Sequence, residues 1–208
     1  MKKGLFITFE GPDGSGKTTV ATKVVELLKN EGYDVVHTRE PGGIDIAEQI
    51  RRVILYHINT TMDLRTEALL FAASRRQHLV EKVIPAINEG KIVVCERFVD
   101  SSLAYQGYAR GLGIENVLSI NEFAIDGLYP DLTIYLDIDE KKGLDRVESR
   151  GAKDRLDAES ISFHHLVVEG YKKVLDKFKD RITIVNADDA LDNVVNNCLE
   201  EIKKFVND

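Results

Sequence analysis

The 208 residues leave room for one domain: 43% are hydrophobic and 30% charged, an ordinary balance for a chain with a buried core. The net charge of −7 argues against non-specific nucleic-acid or membrane-surface binding, because both need a basic face. Cys95 and Cys198 lack metal-ligand spacing and fit a reduced, cytoplasmic chain, the apolar part of MKKGLFITF is too short for a signal peptide, and no apolar stretch approaches a membrane span.

In chain order, the first strand is expected at Leu5–Glu10 and runs into GPDGSGKTT, residues 11–19. An amphipathic helix, Lys17–Asn30, follows directly. Strand, glycine-rich turn and helix N-terminus together form a polyphosphate cradle: backbone amides curl round the anion and the helix dipole adds positive potential. The expected nucleoside-triphosphate site, for ATP by the resemblance named below, is Gly11, Pro12, Asp13, Gly14, Ser15, Gly16, Lys17, Thr18 and Thr19. Within it Lys17 reaches the β- and γ-phosphates and the Thr18 hydroxyl suits Mg²⁺. The alternative is a glycine-rich turn with no ligand.

The next strand is expected at Asp34–Thr38, then TREPGG, then a helix at Asp45–Leu55. Strand carboxyl ends line the crevice of an α/β sheet, so Arg39 is expected to point toward the same cleft as the phosphate loop; the alternative is a surface turn with solvated Arg39 and Glu40. A long helical pattern covers Leu64–Glu89, with Pro85 expected to kink or end it. Phe71 and Arg75 are four residues apart on one face of it, as a base-binding pair or as a core aromatic beside a solvated arginine. The third strand, Lys91–Glu96, closes on Glu96-Arg97, an acid placed for Mg²⁺ and a guanidinium placed for phosphate, or else a structural ion pair. SSLAYQGY, residues 101–108, is rich in neutral hydrogen-bonding groups suited to a base edge or sugar; it also reads as a helix start capped by Asp100 or Ser101. Further helices are expected at Ile114–Gly127, Lys141–Arg150, Ser160–Phe178 and Leu191–Val206, with strands at Leu132–Leu136 and Arg181–Val185. Residues 149–160 form a charged loop that carries Arg150, Lys153 and Arg155, either a cationic cover or an ordinary solvated loop. The alternation gives one parallel sheet wrapped by helices.

GPDGSGKTT, TREPGG, ERFVDSSLAYQGYARG and RLD, in that order, resemble the bacterial-type thymidylate kinases over essentially the whole chain. The resemblance implies a single domain, 1–208, of the three-layer α/β/α P-loop NTPase fold: a five-stranded parallel sheet and a small mobile lid at about 149–160. It implies transfer of the γ-phosphoryl of ATP to dTMP, giving dTDP on the route to dTTP, with Mg²⁺, in a homodimer; the Leu64–Glu89 helix, long and apolar on more than one side, reads as a dimer element or as one buried inside the monomer. By the same resemblance Asp13 contacts the sugar 3′-hydroxyl, and Arg39, Arg51 and Arg97 surround the acceptor phosphate. Phe71 stacks on thymine, Arg75 bonds its edge, Ser102 and Gln106 complete the base contacts, and Tyr105 lies against C2′. Adenine contacts fall near Asn186-Ala187-Asp188. Arg150 and Arg155 belong to the lid; with no arginine in the phosphate loop, Arg155 is the first candidate for the catalytic cation beside Lys17 and Arg97. Thr18 and Glu96 are the metal residues, and Glu96 replaces the family's usual aspartate, so direct and water-mediated contacts both stay open. Other readings are a guanylate kinase, which shares the loop, and a nucleotide-gated binding module. A regulatory GTPase lacks its Asn-Lys-x-Asp string here; the nearest is Asn186-Ala187-Asp188-Asp189.

Overall fold

Five short runs of β-branched and aromatic residues build the centre of the molecule. They are β1 (Leu5–Glu10), β2 (Val35–Arg39), β3 (Ile92–Glu96), β4 (Leu132–Asp137) and β5 (Ile182–Asn186). All pair in parallel, in the order β2-β3-β1-β4-β5. The computed structural model describes residues 4–149 and 154–206. Both faces of the sheet are covered, which is why the strands are apolar without alternation. Ile7 and Phe9 join Val20, Val24 and Leu28 of α1 (Lys17–Asn30) and Val194, Cys198 and Ile202 of α9 (Leu191–Val206) on one face. Phe6, Val93 and Cys95 meet Leu79, Val83, Phe98 and Leu103 on the other. The chain leaves β1 toward β2 and β3, then returns past it to β4 and β5. The crevice beyond the carboxyl end of β1 is therefore the topological switch point, and the phosphate loop lies there.

The remaining helices are α2 (Asp45–Leu55), α3 (Leu64–His78), α4 (Ile84–Asn88), α5 (Val99–Ser102), α6 (Ile114–Ile125), α7 (Glu140–Glu148) and α8 (Ile161–Lys177). The helical pattern expected over Leu64–Glu89 is interrupted just before Pro85, as that proline predicts. α3 passes into a π-helical turn at Leu79–Val83, where the Ile84 amide bonds the Leu79 carbonyl, and α4 resumes with Pro85 near its start. Pro85 has no N–H for the Glu81 carbonyl, so the ladder widens just before it. A second π-helical stretch, Leu103–Ala109, continues α5. It bulges toward α8 at Gly170, where a methyl group would sit 2.8 Å from the Ala104 carbonyl oxygen. Among the described residues no helix is long and apolar enough to cross a membrane.

Neither Asp100 nor Ser101 caps α5, contrary to the capped-start reading; the N-cap is Phe98, with no side-chain cap bond. The buried Asp100 carboxylate instead receives both Arg181 amino groups, at 2.6 and 2.8 Å, and so ties α5 to the start of β5. Arg181 is stacked on Phe178 and Tyr129, and its Nε has no hydrogen-bond partner among the described residues. Asp100→Ala strands that guanidinium with only the Thr133 hydroxyl. The expected loss is about 3–5 kcal/mol of unfolding free energy, read from urea denaturation; a change within about 0.5 kcal/mol, typical of a surface substitution, would remove the pair from the structural core.

Candidate active site

The loop after β1 is shaped by close approach. Gly14 has φ +78 and packs so tightly on α7 that a Cβ would lie 2.0 Å from the Gly143 carbonyl oxygen. Gly16, at φ 87, precedes α1 without a side-chain cap, so the first amides of the helix stay open to an anion. Lys17 folds back over the loop: Nζ donates to the carbonyls of Gly11 (2.9 Å) and Pro12 (2.8 Å) and to Ser15 Oγ (3.3 Å). Burial and the neighbouring Arg97 guanidinium lower its pKa to about 7, against the opposing pull of Asp13, Glu10 and Glu96. Thr18 Oγ1 donates to Glu96 Oε2 at 2.5 Å, and Glu96 Oε1 lies 3.0 Å from His37 Nε2. Burial works to raise the Glu96 pKa, but His37, Thr18 and Lys17 outweigh it, and the group stays below the ordinary carboxylate range.

Arg97 stands at the junction of β3, the loop and α5, with φ 65, an uncommon backbone state for a residue other than glycine. Nη1 donates to Ser101 Oγ (3.0 Å) and Tyr171 OH (3.2 Å); Nη2 donates to the Asp13 carboxylate and to Tyr105 OH (3.3 Å). The Tyr105 hydroxyl in turn donates to Asp13 Oδ2 at 2.6 Å. Behind this layer lies Glu10, 1% exposed, which accepts from the Phe98 amide (2.7 Å), the Ser101 hydroxyl (2.6 Å) and the Tyr171 hydroxyl (2.9 Å). Burial and Asp100 raise the Glu10 pKa. Burial also works to raise Asp13, but Arg97, Lys17 and the Tyr105 hydroxyl overcome it and hold that carboxyl at about 2.

A cleft with about 570 Å³ of empty volume opens from Asp13 and Arg97. It brings together Arg51, Phe71, Arg75, Ser102, Tyr105 and Gln106. Arg75 is buried: Nε donates to Glu40 (2.7 Å) and Nη1 to Ser102 Oγ (3.2 Å) and to Asn121, so the solvated reading of Arg75 does not hold. Glu40 also meets His78 Nδ1 at 2.9 Å. Arg51 is fixed by the Pro41 carbonyl at 2.9 Å. Tyr105 is a core aromatic and a cleft wall at once, its ring edge-on to Phe163 and Tyr171. Gln106 Nε2 donates to Glu67 at 2.9 Å.

Two expected cations lie elsewhere. Arg39, 53% exposed, is held by Glu48 at 2.9 Å in a neighbouring hollow with Gly43 and Lys82, outside the cleft walls. Arg155 does not stand free over the cleft. Its Nη2 is on Glu67 at 2.5 Å and its Nε on the Ile54 carbonyl at 2.8 Å, so its charge is satisfied by α2 and α3. Its neighbours Asp154, Leu156 and Asp157 do wall the cleft. Arg150 and Lys153 lie outside the described residues. Sequence reasoning missed Glu10, Glu67, Tyr171 and Arg146, whose Nη1 donates to the Gly14 carbonyl at 3.3 Å. Glu10 had a readable signal, an acid closing an apolar strand just as Glu96 does. Glu67 had one in its spacing, four residues before Phe71 on the same helical face. Tyr171 had none.

Residues 9–198 match the family model described as thymidylate kinase. The thymidylate kinase of Geobacillus sp. (strain WCH70) is 60% identical over 194 residues, 92% of each chain. The chain belongs to the thymidylate kinase family. The thymidylate kinase of Clostridium novyi (strain NT) is 56% identical over 208 residues, covering 99% of this chain and 100% of the relative. The crystal structure of thymidylate kinase from Ehrlichia chaffeensis matches with a TM-score of 0.79 at 32% identity, over 97% of this chain and 99% of that one. As a thymidylate kinase family member, the chain adopts a P-loop NTPase fold.

The state of Lys17 gives a binding signature. With its pKa at about 7, the amine is mostly neutral at pH 8 in the free protein. A polyphosphate in the loop favours the ammonium, so ATP binding at pH 8 takes up close to one proton, by linkage, and the uptake vanishes near pH 6, where Lys17 is already charged. Calorimetry in buffers of different ionisation enthalpy measures this; equal apparent enthalpies at pH 8 would contradict it.

Proposed function

We propose that the chain transfers the γ-phosphoryl of ATP to dTMP, giving dTDP and ADP, by in-line displacement with Mg²⁺. The observation that carries this reading is the cleft itself. It runs from the phosphate loop, past Arg97, to a pocket walled by Phe71, Arg75 and Gln106. A flat apolar ring and two hydrogen-bonding side chains suit a nucleobase, and a guanidinium between pocket and loop suits the acceptor phosphate. Membership of the thymidylate kinase family supports the same acceptor.

In this reading Arg97 and Arg51 hold the acceptor phosphate, and Asp13 accepts from the sugar 3′-hydroxyl. Lys17 exchanges its carbonyl partners for the β- and γ-phosphates. The Tyr105 ring fills the space beside C2′, where a ribose hydroxyl would be buried without a partner. No general base is assigned, because a phosphomonoester with a second pKa of about 6 is already ionised at neutral pH. Catalysis is then positioning and charge stabilisation. Thr18 and Glu96 would hold Mg²⁺: two hard oxygens 2.5 Å apart beside the loop suit an ion that keeps most of its water. When bound there, such an ion would supply positive charge beside the phosphates that Lys17 and Thr18 face. Residues 149–160 act as the lid in this reading, with Arg155 as its anchor and Arg150 as the candidate lid cation. Phe123, 90% exposed, and Leu69 lie with Ile120 and Arg76 around an open hollow between α3 and α6, which supports a homodimer through these helices.

ADP release with a panel of monophosphates tests the reading. Turnover is expected with dTMP and dUMP, which share the O4 acceptor, and poor turnover with dCMP, which carries an amino donor there. A guanylate kinase would select GMP, and a binding module would release no ADP in response to any acceptor. Lys17→Ala is expected to lower kcat by roughly 10²-fold or more while dTMP affinity stays within a few-fold; near-normal turnover of the folded variant would sink the assignment of the loop.

A further inference from the structure

We propose that Glu67, which lies outside the base pocket, is a positioning residue for base selection: it holds the Gln106 amide so that the carbonyl oxygen, and not the amino group, faces the cleft. The inference rests on the reading of the cleft as the dTMP site.

Glu67 is 0% exposed and sits on α3, one turn before Phe71. Its carboxylate meets Gln106 Nε2 (2.9 Å), Arg110 Nε and Nη2 (each 3.3 Å) and Arg155 Nη2 (2.5 Å). Burial works to raise its pKa, but Gln106, Arg110 and Arg155 outweigh burial and keep the group ionised. An ionised carboxylate only accepts, so the end of the Gln106 amide that faces it must be the NH₂. The amide oxygen is then the end turned away from Glu67. It makes no hydrogen bond among the described residues, and Gln106 is a wall of the cleft. Arg75, on the same cleft, can only donate, and its Nη2 makes no hydrogen bond among the described residues.

The pocket therefore presents a donor from Arg75 and an acceptor from Gln106. That pair complements the imide edge of thymine or uracil, where the O4 acceptor adjoins the N3–H donor. Cytosine offers an amino donor and an unprotonated N3, and is mismatched at both places. Rotating the Gln106 amide by half a turn would leave the pocket with two donors. The imide would lose its partner at N3, and cytosine would gain one. The charge on a residue behind the base pocket thus sets the hydrogen-bonding sense of one of its two reading positions.

Glu67→Gln removes the constraint, because an amide at 67 can donate or accept and Gln106 is free to turn either way. The dTMP-to-dCMP ratio of kcat/KM is expected to fall by about tenfold or more, the size of relieving one unpaired buried polar group. The dTMP-to-dUMP ratio is expected to hold, since both carry the imide. An equal loss for all three acceptors, or an unchanged dTMP-to-dCMP ratio, would overturn the proposal and leave Glu67 a purely structural ion-pair partner. Neutron diffraction from perdeuterated crystals of the unmutated protein decides the same question without a variant. The Gln106 deuterons are expected toward Glu67, and deuterons toward the cleft would overturn the proposal. If the unmutated enzyme itself fails to prefer dTMP to dCMP, the dTMP reading fails, while the neutron map still settles how Gln106 is held.

Discussion

The Arg97 guanidinium is the constraint on which the rest of the site depends. One side chain bonds the phosphate loop through Asp13, the second π-helical stretch through Tyr105, α5 through Ser101 and α8 through Tyr171. Four segments far apart in sequence are thereby fixed around one charge. Burial alone would drive that charge out. The Tyr105 and Tyr171 hydroxyls, Asp13 and Glu10 reverse the effect and keep the guanidinium firmly protonated. Glu10 acts at one remove, since it takes the Ser101 and Tyr171 hydroxyls and the Phe98 amide. It therefore fixes both the backbone turn that carries Arg97 and the oxygens to which Arg97 donates. A charge held by this many partners keeps one direction, as the proposed role of Arg97 on the acceptor phosphate requires.

The cleft cations all have protein partners before any substrate arrives. Lys17 is on loop carbonyls, Arg97 on Asp13, Arg51 on Pro41 and Arg75 on Glu40. If these nitrogens are the substrate ligands, as proposed above, substrate binding is an exchange of partners, and the cost of holding a cation in a buried place is offset in the free protein as well as in the complex. The partners differ in strength. Lys17 has only neutral acceptors and is half-discharged near neutral pH, whereas Arg97 has a carboxylate. The amine is thus the group whose state changes most when a polyphosphate enters.

What the sequence made legible follows from range. The strands and the phosphate loop are local patterns, continuous apolar runs and glycines before a lysine, and the structure carries them within a residue or two of the expected bounds. Phe71, Arg75, Ser102, Tyr105 and Gln106 do reach one cleft, as their motif order implied. Side-chain direction was not legible. Arg39 and Arg155 lie in the expected neighbourhood, but their partners, Glu48 and Glu67, win them from the cleft. Asp100 looked like a cap because its local context allowed one, while its real partner, Arg181, is 81 residues away. The second π-helical stretch was invisible for a similar reason. Pro85 hinted at the first, but the second is stabilised by its fit against Gly170 of α8, which no local pattern reports.

That second π-helical stretch makes segment length a determinant of recognition. A wide turn holds one residue more than the α-helical turn it replaces, and each residue of an α-helix advances the side-chain direction by about 100°. Deleting the single residue Ala104, ahead of Gln106, would let the backbone relax into an ordinary helix with its hydrogen bonds intact. The side chains before the deletion would keep their heading and those after it would rotate away. Ser102 would still meet Arg75, while Gln106 would leave Glu67. If Gln106 reads the base as proposed, the choice of base is encoded partly in a residue count, because the length of this segment sets where the Gln106 amide points.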